Sequence, residues 1–231
     1  MKLMKKRTAV LISAIFAFQA GWAGSSSAST LGYTYNRAAA VAYANKWSCN
    51  GSTSCRNGDY QNLGDEDCTN FVSQALFAGG VTEVKTGQGF EQWWYDGYEG
   101  LWLIGPLNRS LSWGLVTNLS THLQATGRAT GVTLTNMTTK YSGAHSAGGD
   151  IFMYDWGKGE GYSHMALSTG RETYYPYTDP IYGSYTNITG GSGDSISQHS
   201  TDRDHAPWNW GYWTTTLEYR AKYRVKLLKM N

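Results

Sequence analysis

Apolar and polar positions divide the chain into a helical first half and a β-rich second half. The alanine-rich stretch 35–47 and the apolar residues Phe71, Val72, Ala75 and Leu76 follow the spacing of amphipathic helices. We therefore predict one helix over 35–47 and a second, buried helix that begins near residue 67 and ends at a glycine pair.

The later segments predict one more helix and then strands. Ser110 or Ser112 is expected to cap a third helix that ends at Gly127. Strands are predicted at 151–156, 163–169, 196–201 and within 213–228, and loops over 85–109 and 174–194. Helices followed by strands predict an α+β fold, with N-terminal helices packed on a C-terminal antiparallel sheet.

The N-terminus has the pattern of a secretory leader. Four basic residues precede a short apolar stretch, which is about half of the roughly 20 residues that span a bilayer. We predict a signal peptide over 1–23, with cleavage after Ala23 or Ala28, and no stable membrane anchor once it is removed. A Ser-rich spacer over 24–34 and a single domain over 35–231 would follow.

Composition and charge narrow the class of protein. The chain has 231 residues, of which 16% are charged and 14% aromatic, which is unlike a disordered chain. Its formal net charge is +2, but the leader carries four basic and no acidic residues, so 15 basic and 17 acidic residues remain. Without a positive excess, nucleic acid is not an expected partner. The expected location is outside the cell or in its envelope.

Three cysteines suggest two different roles. Cys49 and Cys55 enclose the polar stretch N-G-S-T-S, and we predict that they form a disulfide. Cys68 is then unpaired in the first turn of the second helix, which Asp65 or Asp67 would cap. The positive end of the helix dipole favours a thiolate there, so Cys68 is a candidate nucleophile. The alternative is a small core cysteine.

A thiolate nucleophile needs a base and a polar group that orients the base. His164 opens an apolar strand beside a glycine-rich turn, and His199 lies on the next predicted strand. We therefore take His164 as the candidate base and His199 as its orienting partner. Other candidates for the orienting role are Asp202, Asn187 and Asp204.

Three features of the chain resemble a bacterial amidase domain family. They are D-C-T-N-F-V-S-Q at 67–74, G-D-I-F at 149–152 and the strand opened by His164. The family belongs to the papain-like cysteine hydrolases, alongside NlpC-type and CHAP cell-wall hydrolases. The helix 35–47 and the stretch 93–113 also resemble its pattern, and the resemblance covers roughly residues 35 to 205.

The resemblance implies amide-bond hydrolysis through a thioester on Cys68, with His164 as base and His199 as third member. It also implies an oxyanion site formed by the Cys68 backbone N–H and one upstream side chain. Tyr60 and Asn62 are the candidates for that side chain.

Ten tryptophans have two interpretations. They pack in the core, or some of them line a groove that stacks on sugar rings or a peptide. The groove candidates are Trp93, Trp94, Trp102, Trp208 and Trp210. A weakly charged cleft would suit a peptide or glycopeptide substrate.

No H-E-x-x-H or comparable ligand spacing occurs, so neither a metal nor a cofactor is expected. The primary hypothesis is a secreted cysteine amidase or endopeptidase that acts on peptidoglycan peptides. One alternative is a non-catalytic glycan- or peptide-binding module. The others are an acyl or peptidyl transferase, or an exported toxin, that uses the same Cys-His site. The oligomeric state is left open.

Overall fold

A computed structural model describes Gly32 and residues 34–51, 55–97, 108–134, 145–174, 178–181, 183–184 and 191–231. The predicted leader, Trp102 and Asn187 lie outside these residues. Helix α1 spans Arg37–Trp47, and Asn36 caps it with a side-chain oxygen that accepts from the Ala39 N–H at 3.0 Å. The prediction of a helix over 35–47 is therefore confirmed apart from two residues at its start.

Helix α2 spans Asp67–Ala78, and every residue from its first to Leu76 is buried. The chain leaves it through the predicted glycine pair, where a Cβ on Gly79 would lie 2.6 Å from the Tyr35 ring. The predicted cap is wrong, because a 3-10 turn, Gly64–Glu66, leads directly into the helix. Asp67 therefore lies inside the first turn, and its side chain is free for other contacts.

The predicted third helix is divided into α3, Leu111–Gly114, and α4, Val116–Ala125. Leu115 separates them in an extended conformation. Ser110 precedes α3, but its hydroxyl accepts from the Trp94 N–H rather than capping the helix. Of the predicted loop 85–109, the described part contains short antiparallel bridges.

Strands of the second half form an antiparallel sheet. They are β1 (Ala129–Leu134), β2 (Ile151–Asp155), β3 (Tyr162–Tyr174), β6 (Gly191–Gln198), β7 (Arg203–Pro207) and β8 (Arg224–Met230). Their order across the sheet is β1-β8-β2-β3-β6-β7. Two short strands, β4 (Thr178–Asp179) and β5 (Gly183–Ser184), pair separately. The α+β prediction is confirmed, whereas β1, β7 and the small hairpin had no predicted counterpart.

The segment before β8 differs from its prediction as a strand. It forms two short helices, α5 (Trp210–Thr214) and α6 (Leu217–Arg220). The alternation that suggested a strand counted Leu217 as an inward residue, yet this side chain is 79% exposed. The inward positions begin only at Tyr223 and continue through Val225 and Leu227.

Both faces of the sheet are buried. The first face carries Met153, Met165 and Leu167, which pack with α1, α2 and α4. The opposite face carries Tyr154 and Ala166, which pack with aromatic residues from the segment between β7 and β8. We call these the helix face and the far face. None of the helices in the described ranges is long and apolar enough to cross a membrane.

Candidate active site

Cys68 is the free cysteine of the described chain and lies in the first turn of α2. It is 6% exposed, and its sulfur lies 3.7 Å from the Thr69 hydroxyl. Burial raises the pKa of the thiol, although the backbone N–H of Met165 partly offsets this. The expected stabilisation of a thiolate by the helix dipole is therefore outweighed, and the resting group is the thiol.

The disulfide prediction is confirmed, because Cys49 is bonded to Cys55, with 5.8 Å between their Cα atoms. The bond closes a loop between the end of α1 and the turn that leads to α2. We call residues 49–55 the disulfide loop; positions 52–54 lie outside the described ranges.

Asp67, which precedes the candidate nucleophile, is the centre of a buried network. Its Oδ1 accepts from the Leu63 N–H at 3.0 Å and from the Asn70 amide at 2.7 Å, and its Oδ2 lies 2.5 Å from His199 Nδ1. Burial alone would raise the pKa of this carboxyl, but the hydrogen bonds from His199, Asn70 and Leu63 leave it below its ordinary value. Asp67 is thus an ionised carboxylate.

His199 is held between two acceptors. Its Nδ1 faces the Asp67 carboxylate, and its Nε2 lies 2.7 Å from the Trp47 carbonyl oxygen. Both partners are acceptor oxygens, and together they fix the orientation of the ring. The ring also stacks on Phe71 of α2, with 4.0 Å between centroids. These contacts place His199 on the helix face, and they leave neither nitrogen directed to His164.

His164 lies on the far face. Its ring centroid is 5.7 Å from those of Tyr154 and Trp156, and Nε2 has no hydrogen-bond partner among the described residues. Burial lowers the pKa of His164 to about 4; Gln198 opposes this effect and Arg203 adds to it. The imidazole is therefore neutral near pH 7.

The sheet separates the two predicted catalytic residues. Successive side chains of a strand point to opposite faces. Met165 packs on the helix face with α2, so the neighbouring His164 points away from it. The structure brings Cys68 and His199 to the same end of α2, but it does not place His164 beside the thiol.

Two of the alternative third members, Asp202 and Asp204, have partners other than His164, and the third, Asn187, lies outside the described residues. Both carboxylate oxygens of Asp202 bind the Arg56 guanidinium. Asp204 accepts from the hydroxyls of Ser48 and Ser197.

The oxyanion candidates have other contacts. The Tyr60 ring stacks on Trp113 at 5.9 Å, and burial raises the pKa of its hydroxyl to about 12. The Asn62 side-chain oxygen accepts from the Gly64 N–H at 2.9 Å, which fixes the turn before α2. No described contact joins either side chain to Cys68, so their oxyanion role remains a prediction.

Most of the described tryptophans that were candidates for a groove lie in the core instead. Trp93, Trp208 and Trp210 are buried, and Trp93 stacks on Trp113 with 5.0 Å between centroids. Trp94 alone among the described candidates is partly exposed, with the Lys85 ammonium 5.9 Å from its ring. These large rings fill the two apolar layers instead of facing solvent.

Arg56 and Asp67 belong to the same cluster as His199, but no sequence pattern had indicated them as candidates. The contact between Asp67 and His199 joins positions 132 residues apart, which no local pattern reveals. The acidic residue beside the unpaired cysteine was the available signal for Asp67. Within the described ranges, no cluster of three or more His, Cys, Asp or Glu side chains could hold a metal ion.

The fold and the site together define an α+β domain with an unpaired cysteine at the start of a buried helix that packs on an antiparallel sheet. The model of the family described as "Putative amidase domain" matches residues 34–222. Because this match covers most of the chain, the protein belongs to that family, whose description indicates amide hydrolysis. No curated protein matches the chain. No solved structure matches it either.

Proposed function

We propose that the protein is a cysteine-dependent amide hydrolase in which Cys68 is the nucleophile. The observation that carries this proposal is the position of the free cysteine, in the first turn of a buried helix and next to the Asp67–His199 pair. The other two cysteines are joined in a disulfide and are not available for nucleophilic attack. Membership of an amidase family supports the same reaction class.

The proposed chemistry proceeds in two steps. The Cys68 sulfur attacks the amide carbonyl carbon, the C–N bond breaks, and the amine leaves with a proton. Water then cleaves the thioester, which releases a carboxylic acid and restores the thiol. Because burial raises the pKa of this thiol, attack requires a group that removes its proton.

We assign the proton transfer to His199 rather than to His164. His199 lies on the same face of the sheet as Cys68 and is oriented by a carboxylate, as a catalytic imidazole requires. The thiol proton passes to Nε2 and from there to the leaving amine. To accept it, Nε2 must turn away from the Trp47 carbonyl.

The proposal also includes a substrate class and a location for the protein. A peptide amide is the proposed substrate class, and peptides of the cell wall are the proposed natural source. We also propose that the leader directs export, that the domain is related to papain-like hydrolases, and that neither nucleic acid nor a membrane anchor takes part. The disulfide supports export, because such bonds persist in oxidising compartments.

The test compares Cys68→Ala and Cys68→Ser with the parent protein on purified peptidoglycan and on fluorogenic peptide amides. We expect both variants to lose hydrolysis by at least about 10³-fold, because the nucleophile is absent. Ser73→Ala is a matched control in the same helix, where the hydroxyl binds the Trp113 carbonyl at 2.9 Å. It should keep turnover within a few-fold. Hydrolysis that survives in Cys68→Ala would refute the proposal and favour another mechanism on this scaffold.

A further inference from the structure

The disulfide loop is flanked by two contacts to the Asp67–His199 pair. On its N-terminal side, the Trp47 carbonyl accepts from His199. On its C-terminal side, Arg56 directly follows Cys55, and its Nε lies 3.3 Å from Asp67 Oδ2. Residues that flank the loop on its two sides therefore contact both members of the pair.

The same loop is fastened to the turn that carries His199. The Gly51 N–H donates to the Asp202 carbonyl at 3.0 Å, and the Asn50 side chain accepts from the Asp204 N–H at 2.9 Å. The Arg56 guanidinium binds both oxygens of the Asp202 carboxylate. A movement of the loop would thus be transmitted to the histidine turn through several bonds.

Arg56 also affects the charge balance around the Asp67 carboxylate. Its guanidinium lies between two buried carboxylates, and the Asp67 and Asp202 side chains are 1% and 3% exposed. The guanidinium therefore supplies a positive charge between these two carboxylates. Removing Arg56 would leave an uncompensated buried negative charge, which is strongly unfavourable. Among the described residues, Cys68, Tyr43 and Arg109 also interact electrostatically with Asp67.

We propose that Arg56, held in place by the Cys49–Cys55 disulfide, is a positioning residue that fixes Asp67 and, through it, His199 beside the nucleophile helix. Arg56 does not touch the reacting atoms and acts through the carboxylate. This inference rests on the proposed function, because it assigns a supporting residue to the same site. It predicts that the disulfide loop influences turnover as well as stability.

The first test uses iodoacetamide to measure the pH dependence of Cys68 alkylation. In Arg56→Ala, the less compensated charge of Asp67 disfavours the thiolate. The inflection of the curve of alkylation rate against pH should therefore rise by roughly half to one pH unit. Arg56→Lys should bring the inflection most of the way back to the parent value, since it returns the positive charge. Arg37→Ala is the matched control, because Arg37 pairs with the buried Asp150 at 2.7 Å near the C-terminus of β8. It should leave the inflection unchanged.

The second test separates positioning from folding with peptide amide turnover. In Arg56→Ala, kcat should fall about 10- to 100-fold with KM within about threefold, because a misplaced pair affects the chemical step. Rates are corrected for the folded fraction, and the double variant Cys49→Ser/Cys55→Ser should lower kcat in the same direction. An Arg56→Ala variant that matches Arg37→Ala in inflection and kcat would overturn the inference. Hydrolysis by Cys68→Ala would instead overturn the proposed function, so the two failures are distinguishable.

Discussion

A buried histidine on the helix face of the sheet, His199, and one on the far face, His164, lie in very different settings. On the helix face, His199 is bound by a carboxylate and a backbone carbonyl. On the far face, His164 lies among aromatic rings, and its Nε2 has no hydrogen-bond partner among the described residues. Burial alone therefore does not define the setting of a histidine, since two acceptors orient the first ring whereas the second is kept neutral.

The comparison also explains how both rings can be tolerated. A buried polar ring needs hydrogen-bond partners, which the Asp67 carboxylate and the Trp47 carbonyl supply to His199. A buried imidazole without such a partner avoids the cost of a buried charge by losing its proton, and burial accordingly lowers the pKa of His164. The two histidines should consequently respond differently to acid and to substitution.

Acid stability gives the largest expected effect on folding. Because burial lowers the pKa of His164 from 6.5 to about 4, its neutral form contributes stability that is fully present above pH 6.5 and is lost as the pH falls towards 4. The loss should be about 3 kcal/mol in the free energy of unfolding. Urea denaturation at pH 7 and pH 4 measures it.

His164→Gln isolates this contribution from the other titrating groups. His122 also has a pKa lowered to about 4 by burial, and it remains in the variant. We expect the variant to lose about 3 kcal/mol less stability than the parent over the same pH interval. Equal losses in the two proteins would show that His164 is not held neutral by the far face.

A smaller effect on stability is expected from packing, and it should be the same on both faces. Phe71 stacks on His199, whereas Phe152 stacks on Trp208 on the far face, and both rings are fully buried. Phe71→Leu and Phe152→Leu should each lower the free energy of unfolding by about 1 kcal/mol, because leucine refills most of the space.

Activity should separate these matched variants. Phe71→Leu removes the surface on which His199 rests and should lower kcat about three- to tenfold, whereas Phe152→Leu should leave kcat unchanged. The measurements are thermal or urea unfolding and peptide amide turnover. An equal loss of kcat in both variants would mean that the far face contributes to the site as much as the helix face does.

Local patterns predicted much of the framework. The alanine-rich helix, the buried helix with its terminal glycines and the short disulfide loop each depend on neighbouring residues, and the structure contains all three. The strand predicted within 213–228 was wrong before β8, because a few alternating apolar positions resemble a strand even where the chain forms single helical turns. Its last part, from residue 224, does lie in β8.

The arrangement of the site could not be predicted in the same way. His164, Met165, Ala166 and Leu167 are all buried, so the sequence of β3 contains no polar face that would show which side meets α2. A shift of one residue in the strand phase exchanges His164 and Met165. The contacts of Asp67 with Arg56 and His199 likewise depend on the folded chain.

The central claim is that Cys68 reacts with help from His199 and not from His164. The most direct measurement is the rate at which a peptide with an electrophilic carbonyl end labels Cys68, located by mass spectrometry of the intact and digested protein. We compare the parent protein with the matched variants His199→Gln and His164→Gln.

The account predicts an adduct at Cys68 that forms about 100-fold more slowly in His199→Gln and within about threefold of the parent rate in His164→Gln. A Cys68 that is never labelled would contradict the assignment of the nucleophile. A rate that falls in His164→Gln and not in His199→Gln would contradict the assignment of the base.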